Sequence, residues 1–225
     1  MLKKVSAEFL GSLFLATSIV GSGIMGSTLS QDVGIQLFIN MSASVFVLFA
    51  IITLFGPISG GHFNPLVTIA DLFQKRISIQ LALSYVLAQF AGGTVGVVLA
   101  NLMFNRPAIE PSKYTRSGNF LFLAEVIATA GLMIIIHLLR HQNRSHLTAA
   151  LVAAWIGAAY FFASSTSFAN PAMTFARSWS DTFAGISMKS VPLFILAQCI
   201  GAALGVLLTA LLTFEKKTVE EDVIA

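Results

Sequence analysis

Two Asn-Pro pairs stand at matching points of this chain, each inside apolar sequence. The first lies in GHFNPLVTIAD, Gly61 to Asp71, and the second in SFANPAMTFAR, Ser167 to Arg177. Proline removes a backbone donor and crowds the preceding turn, so an unbroken helix does not run through either pair. Asn followed by Pro is instead a way to start a helix. The Asn side chain caps the orphan N–H groups, and Pro suits the first helical position. Each pair therefore predicts a short helix, near residues 64–75 and 170–180, at a point where apolar sequence would otherwise continue uninterrupted.

The apolar context fixes where those short helices can live. Hydrophobic residues make up 56% of the chain, charged residues 10%, and the mean hydropathy is +0.84. Soluble domains carry about 25% charged residues, so the composition is that of an integral membrane protein. Hydropathy predicts six spans near residues 6–28, 34–56, 78–104, 119–140, 147–168 and 190–213. The two Asn-Pro helices are too short to cross a bilayer, which takes about 20 residues. The net charge of +3 speaks to topology and implies no nucleic-acid partner. The single cysteine, Cys199, excludes an intrachain disulfide. Lys3-Lys4 before apolar sequence resembles the start of a signal peptide, but Glu8 interrupts that region and the second half repeats it.

The repeat has three anchors. AEFLGS at Ala7 matches AEVIAT at Ala124, the Asn-Pro segments match each other, and AQFAGGTVG at Ala88 matches AQCIGAALG at Ala197. Each segment lies roughly 110 residues from its counterpart, and small drifts in that offset are what different loop lengths produce. Three spans per half is an odd number, so the second half enters the membrane from the opposite side and the repeat is inverted. The expected organisation is one transmembrane channel domain over 1–225, with repeats of about 5–104 and 119–214 and a cytoplasmic tail at 215–225. One side of this topology collects eight Lys and Arg residues and the other five, which places both termini in the cytoplasm.

Inversion makes the two short helices meet N-terminus to N-terminus at the bilayer midplane. Each terminus carries about half a positive charge, so the meeting point repels cations, protons included. Asn64 and Asn170, held as caps, present N–H donors there. Non-helical backbone at that depth is tolerated only beside a polar cavity, and a water-lined pore follows. The expected fold is all-α, six transmembrane helices plus two membrane half-helices.

SGGHFNPLVT, SFANPAMT, a Glu near the start of each half and the paired AQxxG segments resemble the aquaporin and aquaglyceroporin superfamily over about residues 5–214. The resemblance implies an aquaporin-like homotetramer in a bacterial inner membrane, with one pore per subunit and passive transport without a cofactor. It implies a midplane of Asn64, Pro65, Leu66, Asn170, Pro171 and Ala172, and His62 lining the pore. It gives Glu8 and Glu125 the role of holding the loops before the half-helices.

The departures bear on selectivity. Leu66 stands where the family's first motif has Ala, and is expected to alter packing where the half-helices meet. Met173 stands where the family usually has a filter Arg. Counting back without gaps from each Asn puts Ser44 and Ala158 at the other filter positions, and Ser167 falls where some members have Cys. The expected filter is open and uncharged. The second motif also resembles a bacterial branch associated with arsenic resistance, which implies uncharged trivalent arsenic species and polyols such as glycerol as solutes, with water. A mainly water-conducting channel and an ion-coupled transporter remain as alternatives. No nucleophile-base or metal spacing points to an enzyme.

Arg177, one turn past Met173, has two readings: a displaced charge guard at the pore mouth, or an i,i+4 ion pair with Asp181. Its repeat partner Asp71 has the corresponding i,i+4 partner in Lys75. His137, His141 and His146 are read as solvated residues around a cytoplasmic loop, not as a metal site.

Overall fold

The computed structural model describes residues 1–214, and these are entirely helix, turn and loop. The expected tail at 215–225 lies outside the described residues. The elements are α1 (Leu2–Leu29), α2 (Val33–Ser59), α3 (Pro65–Phe73), α4 (Ile79–Met103), α5 (Asn119–His141), α6 (Thr148–Phe162), α7 (Pro171–Ala176) and α8 (Val191–Leu212). Short 3-10 turns precede α6, at Ser145–Leu147, and follow α7, at Arg177–Trp179. Among the described residues, six helices are long and apolar enough to cross a membrane, α6 counted with its leading turn. The chain is a multi-pass membrane protein. The remaining two helices, α3 and α7, are the short ones that begin at the Asn-Pro pairs.

Local chemistry sets the helix starts. Asp32 caps α2 by accepting from the Ile35 N–H at 3.0 Å, and Ser78 caps α4 through Leu81 at 3.3 Å. Asn64 and Asn170 cap α3 and α7, each with Pro at the next position. The one long helix that ends early is α6. Its expected span runs to 168, yet it stops at Phe162, because Ala163 turns extended and Thr166, Ser167 and Ala169 take positive φ. That stretch reaches α7 as a loop.

Two helix pairs frame the molecule. α1 lies along α4, and α5 lies along α8. Glycine makes both crossings close. Gly92 and Gly96 face the carbonyl oxygens of Phe9 and Leu13, and Gly201 and Gly205 face those of Val126 and Ala130. A Cβ at any of the four would overlap backbone oxygen. Small residues let helices approach closely where lipid offers no hydrophobic drive for association. α2 and α6 close the bundle between the pairs, and α3 and α7 meet inside it.

Candidate functional site

The half-helices are joined by a reciprocal clasp. The Asn64 side-chain oxygen accepts from the Leu66 N–H at 3.0 Å, while its Nδ2 donates to the Ala169 carbonyl at 2.8 Å. The Asn170 oxygen accepts from Ala172 and Met173, at 3.0 and 3.3 Å, while its Nδ2 donates to the Phe63 carbonyl at 2.8 Å. Each amide thus caps its own helix and grips the loop before the other. An Nδ2 carries two hydrogens, so each Asn keeps one N–H for the cavity. The sequence reading left both free; the structure assigns one to the clasp.

A buried carboxylate secures each loop. Glu8 accepts from the backbone N–H groups of His62 and Phe63 at 2.9 and 2.7 Å, from Ser59 at 2.6 Å and from Gln89 at 2.8 Å. Glu125 accepts from the N–H groups of Phe168 and Ala169, both at 2.9 Å, and from Gln198 at 2.6 Å. Gln89 also donates to Thr68, and Gln198 to Thr174. These contacts satisfy backbone N–H groups of the loops before the half-helices, two of them at positive φ (Phe63 and Ala169), as buried polar groups require.

Beside the clasp lies a cavity of about 70 Å³. One wall is polar, formed by the loops at 61–64 and 167–170. The other is largely apolar, built from i,i+4 stripes: Leu48 and Ile52 on α2, Leu132 and Ile136 on α5, Val152 and Ile156 on α6. Ser44, His62, Ser167, Met173 and Arg177 all line it. The Ser167 hydroxyl is buried without a hydrogen-bond partner among the described residues. Met173 leans toward α4, its methyl 3.0 Å from where a Cβ on Gly93 would sit. Pro65, Leu66, Pro171 and Ala172 are buried behind the clasp, and Leu66 joins the hydrophobic core without lining the cavity.

Ala158 is a correction. It is exposed on the outer face of α6, and Tyr160 lines the cavity. Tyr160 donates to Ser44 at 3.1 Å, and Ser44 donates to the Asn40 carbonyl at 2.7 Å. The non-helical loop after Phe162 breaks the ungapped count from Asn170, which is why that count lands on the wrong face. The stripe Thr148, Val152, Ile156, Tyr160 carries the missed signal.

The two expected i,i+4 ion pairs are also corrected. Asp71 meets His62 at 3.0 Å, Arg76 at 3.7 Å, and Arg140 in a short hydrogen bond, rather than Lys75. α3 ends at Phe73, and Lys75 has turned to φ 57. Asp181 accepts from the Lys113 N–H at 2.9 Å instead of pairing with Arg177, because Ser180 between them is extended. Arg177 is buried. Its Nε donates to the Ala184 carbonyl at 2.5 Å, and its guanidinium carbon sits 3.4 Å from the centre of the Phe168 ring. His137 is likewise buried on α5, its Nδ1 3.2 Å from Gln74 Nε2, whereas His141 and His146 are exposed.

A family model described as major intrinsic protein matches residues 1–169. The chain is 40% identical over 202 residues to the aquaglyceroporin AqpS of Rhizobium meliloti strain 1021, a match covering 89% of this chain and 85% of that protein. It is 33% identical over 101 residues to aquaporin-4 of Mus musculus, covering 45% of this chain and 31% of that protein. The X-ray structure of the aquaglyceroporin from Plasmodium falciparum superposes with a TM-score of 0.72 at 19% identity, covering 91% of this chain and 93% of that one. At that identity the likeness carries the fold alone.

Proposed function

The chain belongs to the major intrinsic protein family, passive channels for water and small solutes and not enzymes, and from that premise we propose that its pore serves small uncharged polyhydroxy solutes. Polyols such as glycerol and metalloid hydroxides such as arsenite pass, with water beside them. The observation that carries this reading is the chemistry of the cavity around Met173. A neutral side chain stands there, leaning toward α4, and hydroxyls of Ser44, Tyr160 and Ser167 border the same space. A solute with several hydroxyls exchanges its water for those groups and for the two Asn N–H donors on one wall, while its carbon or metalloid face meets the apolar stripes. Polar groups set along one side of an otherwise apolar site fix orientation with little penalty for an uncharged guest.

The name of the Rhizobium relative, an aquaglyceroporin, agrees with a polyol-passing reading. The filter in this reading is Ser44, Tyr160, Ser167 and Met173, and the midplane is the Asn64–Asn170 clasp. The working assembly is a homotetramer in the bacterial inner membrane with both termini cytoplasmic. Stopped-flow light scattering of proteoliposomes with water, glycerol, urea and arsenite gradients tests it. Glycerol and arsenite flux linear in the gradient and weakly dependent on temperature is the expected result. Water flux alone, or saturable flux coupled to an ion gradient, overturns it.

A further inference from the structure

Charge is distributed unequally between the two ends of the half-helix system. Asp71, seven residues past the Asn64 cap, is surrounded by Arg140, Arg76 and His62, so its carboxylate and the nearby cations offset one another. Arg177, seven residues past the Asn170 cap, has no carboxylate within salt-bridge distance among the described residues. The carboxylate of Glu110 is engaged with Arg106 at 2.7 Å, and that of Asp181 accepts from the Lys113 N–H. A second guanidinium stands close by. Arg116 sits 5.1 Å from the centre of the same Phe168 ring that Arg177 covers, and donates to the carbonyls of Gly185 and Phe183. Among the described residues, neither Arg116 nor Arg177 forms a salt bridge.

We propose that Arg177, backed by Arg116, is the charge barrier of this pore, set one turn beyond the position that Met173 leaves neutral; the assignment rests on the pore reading above. Arg177 lines the cavity, and its one hydrogen bond within the described residues comes from Nε. Its terminal nitrogens are therefore the donors left for whatever passes. Neutral carbonyls and the face of Phe168 hold both guanidiniums; the Glu125 carboxylate, whose field reaches both, is engaged with the Phe168 and Ala169 N–H groups and with Gln198 and pairs with neither Arg. The attraction of a ring face for a cation is a short-range quadrupole effect, whereas the field of two full charges persists over the width of the mouth. A carboxylate partner would stabilise either Arg equally well and abolish that field. An approaching cation meets two like charges on one side of the mouth. A neutral polyol meets only N–H donors. Filter width and charge exclusion, which a single Arg at position 173 would combine, are separated here onto two residues: Met173 sets the opening and Arg177 sets the sign. Arg177 touches the permeant; Arg116 is a positioning residue that adds charge and covers Phe168.

The test uses the full chain in liposomes, with proton and sodium leak followed under an imposed membrane potential and glycerol flux followed by light scattering. Wild type is expected to pass glycerol with no leak above empty vesicles. Arg177→Gln should raise the leak about tenfold while still passing glycerol, and Arg116→Gln should raise it about threefold, as the more distant charge. Arg177→Lys should stay at the wild-type leak, because the charge remains. Unchanged leak in both Gln variants, or a leak in Arg177→Lys equal to that of Arg177→Gln, overturns the assignment. Should Arg177→Gln fail to assemble, Arg116→Gln and Arg177→Lys decide by the same criteria. Absence of glycerol and water flux in the wild type is a separate result, and it removes the pore reading itself.

Discussion

Asn64 and Asn170 each do two jobs with one amide, and substitution separates the jobs. Asn170→Asp keeps an oxygen to cap α7 but loses the donor to the Phe63 carbonyl, setting oxygen against oxygen. Loss of a buried hydrogen bond with an acceptor left unsatisfied costs about 1–3 kcal/mol, so thermal stability in detergent should fall. The new negative charge should also admit cations, read as a leak in liposomes; a variant with wild-type stability and no leak would remove both roles. Gly93 gives a gentler probe. A Cβ there would lie 3.0 Å from the Met173 methyl and 3.2 Å from the Ala176 Cβ, so it would press the flexible end of Met173 away from α4, toward the cavity it lines. Gly93→Ala should lower glycerol flux severalfold with little change in water flux or melting temperature. Equal loss of both fluxes would mean that Met173 does not set the opening. At this scale the caps are legible in sequence because Asn-Pro chemistry is local. Tyr160 is not, since its place depends on how many residues the loop after Phe162 consumes.

The half-helices owe their position less to their own six to nine residues than to Glu8 and Glu125 behind them. Short helices are marginal by themselves, and these two are held by loops whose N–H groups end on carboxylate oxygens. Glu8→Gln and Glu125→Gln preserve shape but turn one acceptor oxygen into an NH₂ facing N–H donors. Each buried donor left without a partner costs about 1–3 kcal/mol. Both variants should melt earlier in detergent, Glu8→Gln more so because its carboxylate has four partners and that of Glu125 has three. Unchanged melting in both would assign the loops' order to something else. The repeat is readable in sequence as matched AEFLGS and AEVIAT segments, but the separate partners of Asp71 and of Arg177 are not. Helical i,i+4 spacing assumes a helix that continues, whereas α3 stops at Phe73 and α7 gives way to a 3-10 turn at Arg177.

For the molecule as a whole, the two halves are joined by one connection, residues 104–118, yet they are bound across their interior by the clasp and across one mouth by Asn101 of α4, which donates to the Trp179 carbonyl and accepts from Ser180. Co-expressed fragments 1–110 and 111–225 should therefore co-purify and restore glycerol flux in liposomes, with neither fragment active alone. Failure to associate would show that the covalent link, not the clasp, unites the halves. The sharing of caps also has a consequence in time. The ribosome makes Asn64 well before Asn170, and at about 5–20 residues per second the first loop waits roughly 5–20 s for its partner. During that interval the Phe63 carbonyl and the Asn64 amide have no counterpart across the bilayer, and the newborn half is open to whatever proteases patrol the membrane. Rare codons placed between the two motifs should lower the yield of the protein while leaving the melting temperature of what survives unchanged. The most exposed moment of this protein's life is set by the speed of its synthesis, not by the strength of its fold.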